Sequence, residues 1–161
     1  MPMPFHMTVE GQNQGAIEGS CEQQGREGTI LCQAYDHQIQ IPRDPQSGLP
    51  VGKRVHGPLM VTKVFDKASP KLAQALTSGE RMTVELKWYR IDPTGVEEHY
   101  FTIKLEEAIC VAMRGWTPNC LDPVKESYSH MEDVSFTYTK IIWTWVADGI
   151  ETEDSWLVPR A

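Results

Sequence analysis

MEDVSFTYTKIIWTWVA, residues Met131 to Ala147, is the stretch on which the fold turns. Val134, Phe136 and Tyr138 lie at even positions, so its first half alternates apolar and polar as a strand with one buried face does. Ile141, Trp143 and Trp145 lie at odd positions. Successive residues of a strand point to opposite faces, so the apolar set changes side between Tyr138 and Ile141. Either a bulge near Lys140 reverses the faces, or both faces of the second half are covered. The second reading leaves apolar surface for a partner, because one small domain rarely covers a strand on both sides. A self-assembling barrel would do this.

Upstream, Trp116 to His130 is a loop carrying Pro118 and Pro123, and Glu107 to Arg114 reads as a further strand. Before it stands a hairpin. Val84, Leu86 and Trp88 alternate with Glu85, Lys87 and Tyr89, and Phe101, Ile103 and Leu105 alternate on the return strand. Between them Asp92-Pro93-Thr94-Gly95 has Asp at i, Pro at i+1 and Gly at i+3, as a type I turn prefers. One helix is expected over Ser69 to Gly79, with Ser69 as N-cap, Pro70 in the first turn and Gly79 in the left-handed position past the end. Leu72, Ala75 and Leu76 fall at i, i+3 and i+4 and form the stripe that packs on the sheet.

Leu59 to Phe65 and Thr29 to Ile41 read as strands, and Met7 to Glu10 as a short opening strand. Gln12 to Gly28, with Gly15, Gly19, Gly25 and Gly28, reads as irregular or weakly extended. Pro42 to Pro58, PRDPQSGLPVGKRVHGP, holds four prolines and three glycines, which forbid a helix or a ladder. A connection this long in a compact domain is either functional or disordered.

Composition narrows the class. The chain has 161 residues, 40% hydrophobic and 23% charged, and a net charge of −7. That suits a globular domain with its own core and argues against nucleic acid as a partner, which would call for a clustered basic excess. No apolar run approaches the roughly 20 residues of a membrane span, so no membrane insertion is expected. The start, MPMPFH, lacks the basic and apolar blocks of a secretory signal, so the chain is expected to be made in the cytoplasm and to leave, if it leaves, by a dedicated machine. Cys21, Cys32, Cys110 and Cys120 have no zinc spacing and are expected to be reduced, structural thiols. One domain is expected over residues 1–156. Leu157-Val158-Pro159-Arg160-Ala161 is expected to be the remnant of a protease-cleavable tag, or a disordered tail.

Chemistry is hard to find. Nucleophile-elbow, phosphate-loop, dinucleotide and zinc-protease patterns are absent from the sequence. Glu97-Glu98, Glu106-Glu107 and Glu132-Asp133 are adjacent on strands and point to opposite faces, so they read as solvated charge. His56 reads as a structural hydrogen-bond partner. His130 with Ser127 or Cys120 shows no triad geometry. Neither catalytic residue, metal ligand nor cofactor is expected. Trp88, Trp143 and Trp145 read as core residues or as anchors of a protein interface.

The loop Arg43-Asp44-Pro45-Gln46-Ser47-Gly48-Leu49-Pro50-Val51-Gly52-Lys53-Arg54-Val55-His56 is similar to the DPQSGxPxGxRVH signature of the haemolysin-coregulated protein family. Further segments match in the same order: Val9-Glu10-Gly11-Gln12, Ala75-Leu76-Thr77-Ser78-Gly79-Glu80, Leu86-Lys87-Trp88-Tyr89-Arg90, Asn119-Cys120-Leu121-Asp122-Pro123, and Tyr138-x-Lys140-Ile141-x-Trp143. The resemblance spans about residues 1–145 and departs from the family at His6-Met7, from Cys21 to Ile30, and after Val146.

It implies a mainly β fold: a small β-barrel of two packed sheets, one short α-helix on the side, and a long extended loop. It also implies a structural subunit of the type VI secretion tube that forms hexameric rings, stacks them, and is secreted by the apparatus. The implied partners are other copies of the chain, the sheath and spike proteins, and small effectors in the lumen. Arg43, Asp44, Pro45, Gln46, Ser47, Gly48, Pro50, Gly52, Lys53, Arg54, Val55 and His56 would form the ring-stacking loop. Trp143 and Trp145 would lie in the subunit interface. About 15 residues follow the last expected strand, too few for a fused toxin domain. A bacteriophage-like tail-tube protein, a secreted hydrolase and a monomeric ligand-binding barrel are the alternatives.

Overall fold

The computed structural model describes residues 2–156. The chain runs through β1 (Phe5–Gly11), β2 (Gly15–Ile17), β3 (Ile30–Asp36), β4 (Ile39–Gln40), β5 (Val55–His56), β6 (Leu59–Val64), α1 (Ser69–Ser78), β7 (Arg81–Ile91), β8 (Glu97–Trp116), β9 (Met131–Thr137), β10 (Lys140–Trp145) and β11 (Ile150–Ser155). Neighbours in the order β8-β7-β1-β3-β6-β9 are hydrogen-bonded, and β9 pairs back to β8, so the sheet closes into the expected barrel. Closure satisfies the strand edges that would otherwise seek partners. Inside sit Met7, Ile30, Cys32, Leu59, Val61, Val84, Leu86, Leu105, Val134 and Phe136, all fully buried. Leu72 and Ala75 of α1 join them from the side.

The length of β8 makes this closure possible. Its 20 residues pair on one side with β7, and on the other first with β10, at Phe101–Glu106, and then with β9, at Ile109–Trp116. Glu107 to Arg114 is therefore not a further strand but the same one past a bulge. There the register with β7 slips between Met82 and Val84, and Glu107 takes a left-handed φ of 54°. An extra residue of this kind bends and twists the strand.

The change of side in β9–β10 is a reversal of faces, and it lies at Tyr138-Thr139, just ahead of Lys140. Neither residue belongs to a strand, and buried Tyr138 is followed by buried Ile141. From Ile142 to Trp145 every residue is half-buried, so that half is partly covered on both faces by its own chain.

Several elements depart from expectation. Thr29 to Ile41 breaks into β3 and β4, and the glycine-rich stretch contains β2, which pairs with β1. Beyond the long run comes β11, IETEDS, an edge strand on β10 with no apolar alternation to announce it. Ser69 is not the N-cap. Ala68 holds that place with no side-chain cap, while the Asp66 carboxylate accepts from the Ala68 N–H at 3.0 Å and the Ser69 hydroxyl accepts from the Asp66 N–H at 3.1 Å. Gly79 does close the helix, at φ 66°, and the Asp92–Gly95 turn forms with Gly95 at φ 87°. All four cysteines are free; Cys32 and Cys110 are buried, Cys21 is half-buried and Cys120 is exposed, so the buried-thiol reading fits two of them. Residues 157–161, the expected tag remnant or tail, lie outside the described residues.

Candidate functional site: an arm on a polar hinge

Pro42 to Pro58 forms an arm whose end joins a two-residue ladder with the strand before it, and which holds one isolated bridge of its own. Ile39 and Gln40 of β4 pair with His56 and Val55 of β5, and Arg43 bridges Pro50 nearer the tip. The prolines leave room for only these few pairs. The tip is held by Asp44, whose carboxylate accepts from the Gln46 N–H and the Ser47 hydroxyl, each at 3.0 Å. Its carbonyl accepts from Gly48 N–H at 2.8 Å, and Gly48 and Gly52 take left-handed φ values of 72° and 92°. The hydrogen bond from Gln46 also holds the Asp44 carboxyl below the usual range. Ile41, Leu49, Val51 and Val55 are exposed along the arm.

Its root is tied to the barrel by a chain of polar groups. Arg54 grips Asp154 of β11 with two hydrogen bonds, Nε to Oδ2 at 2.5 Å and Nη2 to Oδ1 at 2.9 Å, and gives a third to the Ser155 carbonyl. His56 Nε2 lies 2.7 Å from the same Asp154 Oδ2, and His56 Nδ1 lies 2.6 Å from the Tyr138 hydroxyl. His37 Nε2 reaches that hydroxyl from the other side at 2.9 Å. The Arg54 hydrogen bonds lower the Asp154 carboxyl to about 2, while burial raises the Tyr138 phenol and lowers His37. His56 is thus a structural hydrogen-bond partner, as its position suggested. Sequence gave no hint of Asp154, Tyr138 or His37 as its partners. They are 98, 82 and 19 positions away, with no shared motif.

Of the arm residues, Arg54 and His56 are tied to the barrel, whereas Arg43 to Gly52 bond to one another and, Asp44 apart, are exposed. Trp143 packs against the core and Trp145 lies edge-on to Tyr100 at 5.7 Å, with the Arg90 guanidinium 5.1 Å from its ring. Beside Trp143 a cleft of about 280 Å³ opens, lined by Tyr35, Trp88, Tyr100, Phe101 and Ile103.

The paired carboxylates separate as strand geometry requires, though one is not solvated. Glu97 meets Arg26, Glu98 meets Arg90, and Glu107 meets Arg81, but Glu132 is buried and pairs with the fully buried Lys63 beneath the helix. Asp66 and Ser69 complete that cluster, 3.0 and 3.1 Å from the ammonium. A buried charge needs such company. Among the described residues no three His, Cys, Asp or Glu side chains are placed to hold a metal.

Fold and site together define a class: a small closed antiparallel barrel carrying a projecting arm on a polar hinge. A family described as "Type VI secretion system effector, Hcp" matches residues 6–145. The "Major exported protein" of Pseudomonas aeruginosa (strain PAO1) is 47% identical over 171 aligned positions, covering 100% of this chain and 99% of that protein. A crystal structure of an Hcp protein superposes with a TM-score of 0.89 at 35% identity, covering 97% of this chain and 99% of its own. The secreted protein Hcp3 of Pseudomonas aeruginosa superposes with a TM-score of 0.79 at 39% identity, covering 96% and 99%. The chain belongs to the haemolysin-coregulated protein family of type VI secretion.

Proposed function

We propose that the chain is the structural subunit of a type VI secretion tube: it closes into hexameric rings that stack, and it performs no catalysis. The observation that carries this is the arm. It is ordered, it leaves the barrel, and it holds Ile41, Leu49 and Val51 in solvent, where exposed apolar side chains await a partner. Its most economical partner is another copy, since a surface repeated by rotation closes a ring or builds a filament. Rings assemble in the cytoplasm with the sheath and spike proteins, small effectors ride in the lumen, and the apparatus exports the tube.

Mass by light scattering followed by negative-stain imaging tests the reading. Six-fold particles of six chain masses are expected. A monomer at micromolar concentration overturns it.

A further inference from the structure

The hinge contains more titratable groups than a static tie needs, and their protons can be placed. Asp154 is ionised and only accepts, so His56 Nε2 carries a hydrogen and donates to it. With a neutral His56, Nδ1 is a lone pair that accepts from the Tyr138 hydroxyl, and the Tyr138 oxygen accepts from His37 Nε2–H. One added proton is also accommodated. His56 then donates from both nitrogens, Tyr138 turns its hydrogen to His37 Nε2, and the His37 ring holds its own hydrogen toward the Gly57 backbone. A second proton has no such arrangement. Two imidazolium rings would both donate to the hydroxyl of the buried Tyr138, whose hydrogen then finds an acceptor in neither ring.

We propose that the arm root is a proton-operated latch: the His37–Tyr138–His56–Asp154 chain stays closed with none or one proton and opens when both imidazoles are charged, releasing the arm. Among the described residues these groups face the pair. Asp154 and Arg54 lie beside His56, whose other face meets the Trp156 ring at 4.7 Å. His37 faces the Tyr35 ring at 6.4 Å and feels the Asp36 carboxylate. Arg54 already occupies both Asp154 oxygens, so Asp154 is not free to neutralise a second imidazolium.

The sign is set by His37. Its closed-state value is held below 6.5, first by burial and then by repulsion from His56, so closure is fully favoured above 6.5 and is lost as pH falls below it. With one linked proton, opening rises about tenfold for each pH unit below that point, until His37 is charged in the closed form as well.

The inference rests on the arm as the tube-building element, but its test does not. Hydrogen exchange, corrected for intrinsic rates, is followed across residues 41–54 in the full chain, dilute enough that rings do not stack. Protection is expected to fall with pH below 6.5 in the native chain. His37→Gln keeps an N–H toward Tyr138 but takes no proton, and is expected to flatten the profile. A flat native profile, or a His37→Gln profile with the native slope, overturns the latch. Should that variant misfold, nitrogen-15 titration of the native imidazoles decides: two coupled steps support the latch, and two independent simple titrations overturn it. Tubes that form without the arm would make it a passive loop, and a monomer would defeat the tube-subunit reading; either outcome leaves this result standing.

Discussion

Asp154 shows how much one side chain can carry when it stands at the root of an excursion. Two carboxylate oxygens receive Arg54 and His56, from a segment about 100 positions earlier, and so fasten the arm to the edge strand of the sheet. Its carboxyl titrates at about 2 instead of 3.8, chiefly through Arg54. A lowered acid constant in the fold means that ionisation favours the fold. The contribution is present above 3.8 and drains away as pH falls through about 2. Asp154→Asn is therefore expected to lower the urea unfolding free energy at pH 7 by about 2 kcal/mol, the scale of lost hydrogen bonds to a charged group. It should also remove the part of acid unfolding that falls between pH 3.8 and about 2. An unchanged urea midpoint would show that Arg54 and His56 find other acceptors.

At the scale of elements, the arm is a stiff hairpin. Pro45 and Pro50 restrict the free chain, and the Asp44 turn fixes its tip, so little entropy is lost when the arm docks. Arg43 and Asp44 near one end and Lys53 near the other offer mixed charge around the exposed Leu49 and Val51. Replacing Gln46 to Gly52 with a short Gly-Ser linker leaves the β4–β5 ladder and the Asp154 contacts in place. Hexamers are expected to persist on a sizing column while tubes and export are abolished. Long tubes from this variant would make the arm a passive loop, and a drop to monomer would assign it to the contact within a ring.

For the whole molecule the question is what would close the proposed ring. Barrel closure pairs the barrel strands on both sides and leaves free edges at β11, at β2 and on the β4–β5 pair, and the apolar cleft beside Trp143 stays open. Trp143 is tied into the core, so its replacement would report on folding as much as on assembly. Trp145 is the cleaner probe. Its ring rests on Arg90 and Tyr100, and its indole N–H donates to Asp148 at 3.1 Å. Truncating an aromatic anchor at the centre of an interface costs about 2 kcal/mol or more per contact, and a ring repeats that contact at every joint. Trp145→Ser is expected to shift the mass in light scattering from hexamer to monomer with an unaltered far-ultraviolet spectrum. A hexamer of native stability would place the joint elsewhere.

What the sequence determined by itself was local. The period of two in Val84 to Trp88 and in Val134 to Tyr138, the Asp92–Gly95 turn, Gly79 past the helix and the stripe of Leu72, Ala75 and Leu76 are each written within a few neighbouring residues, and each appears in the fold. The change of side after Tyr138 was legible as well, because parity is a property of sequence alone. The tertiary structure decided what depends on distant pairing. IETEDS is a strand only because the outer edge of β10 offers hydrogen bonds, and an edge strand needs no apolar face of its own. Glu107 bends β8 only because β9 must be reached beyond β10. Glu132 is buried only because Lys63 stands directly opposite it on the neighbouring strand β6, and the hinge exists only where His37, His56, Tyr138 and Asp154 converge from four separate segments. Hydrogen bonds and ion pairs act over a few ångströms of space, whatever the separation along the chain, so a sequence read locally shows the groups and leaves their partners to the fold.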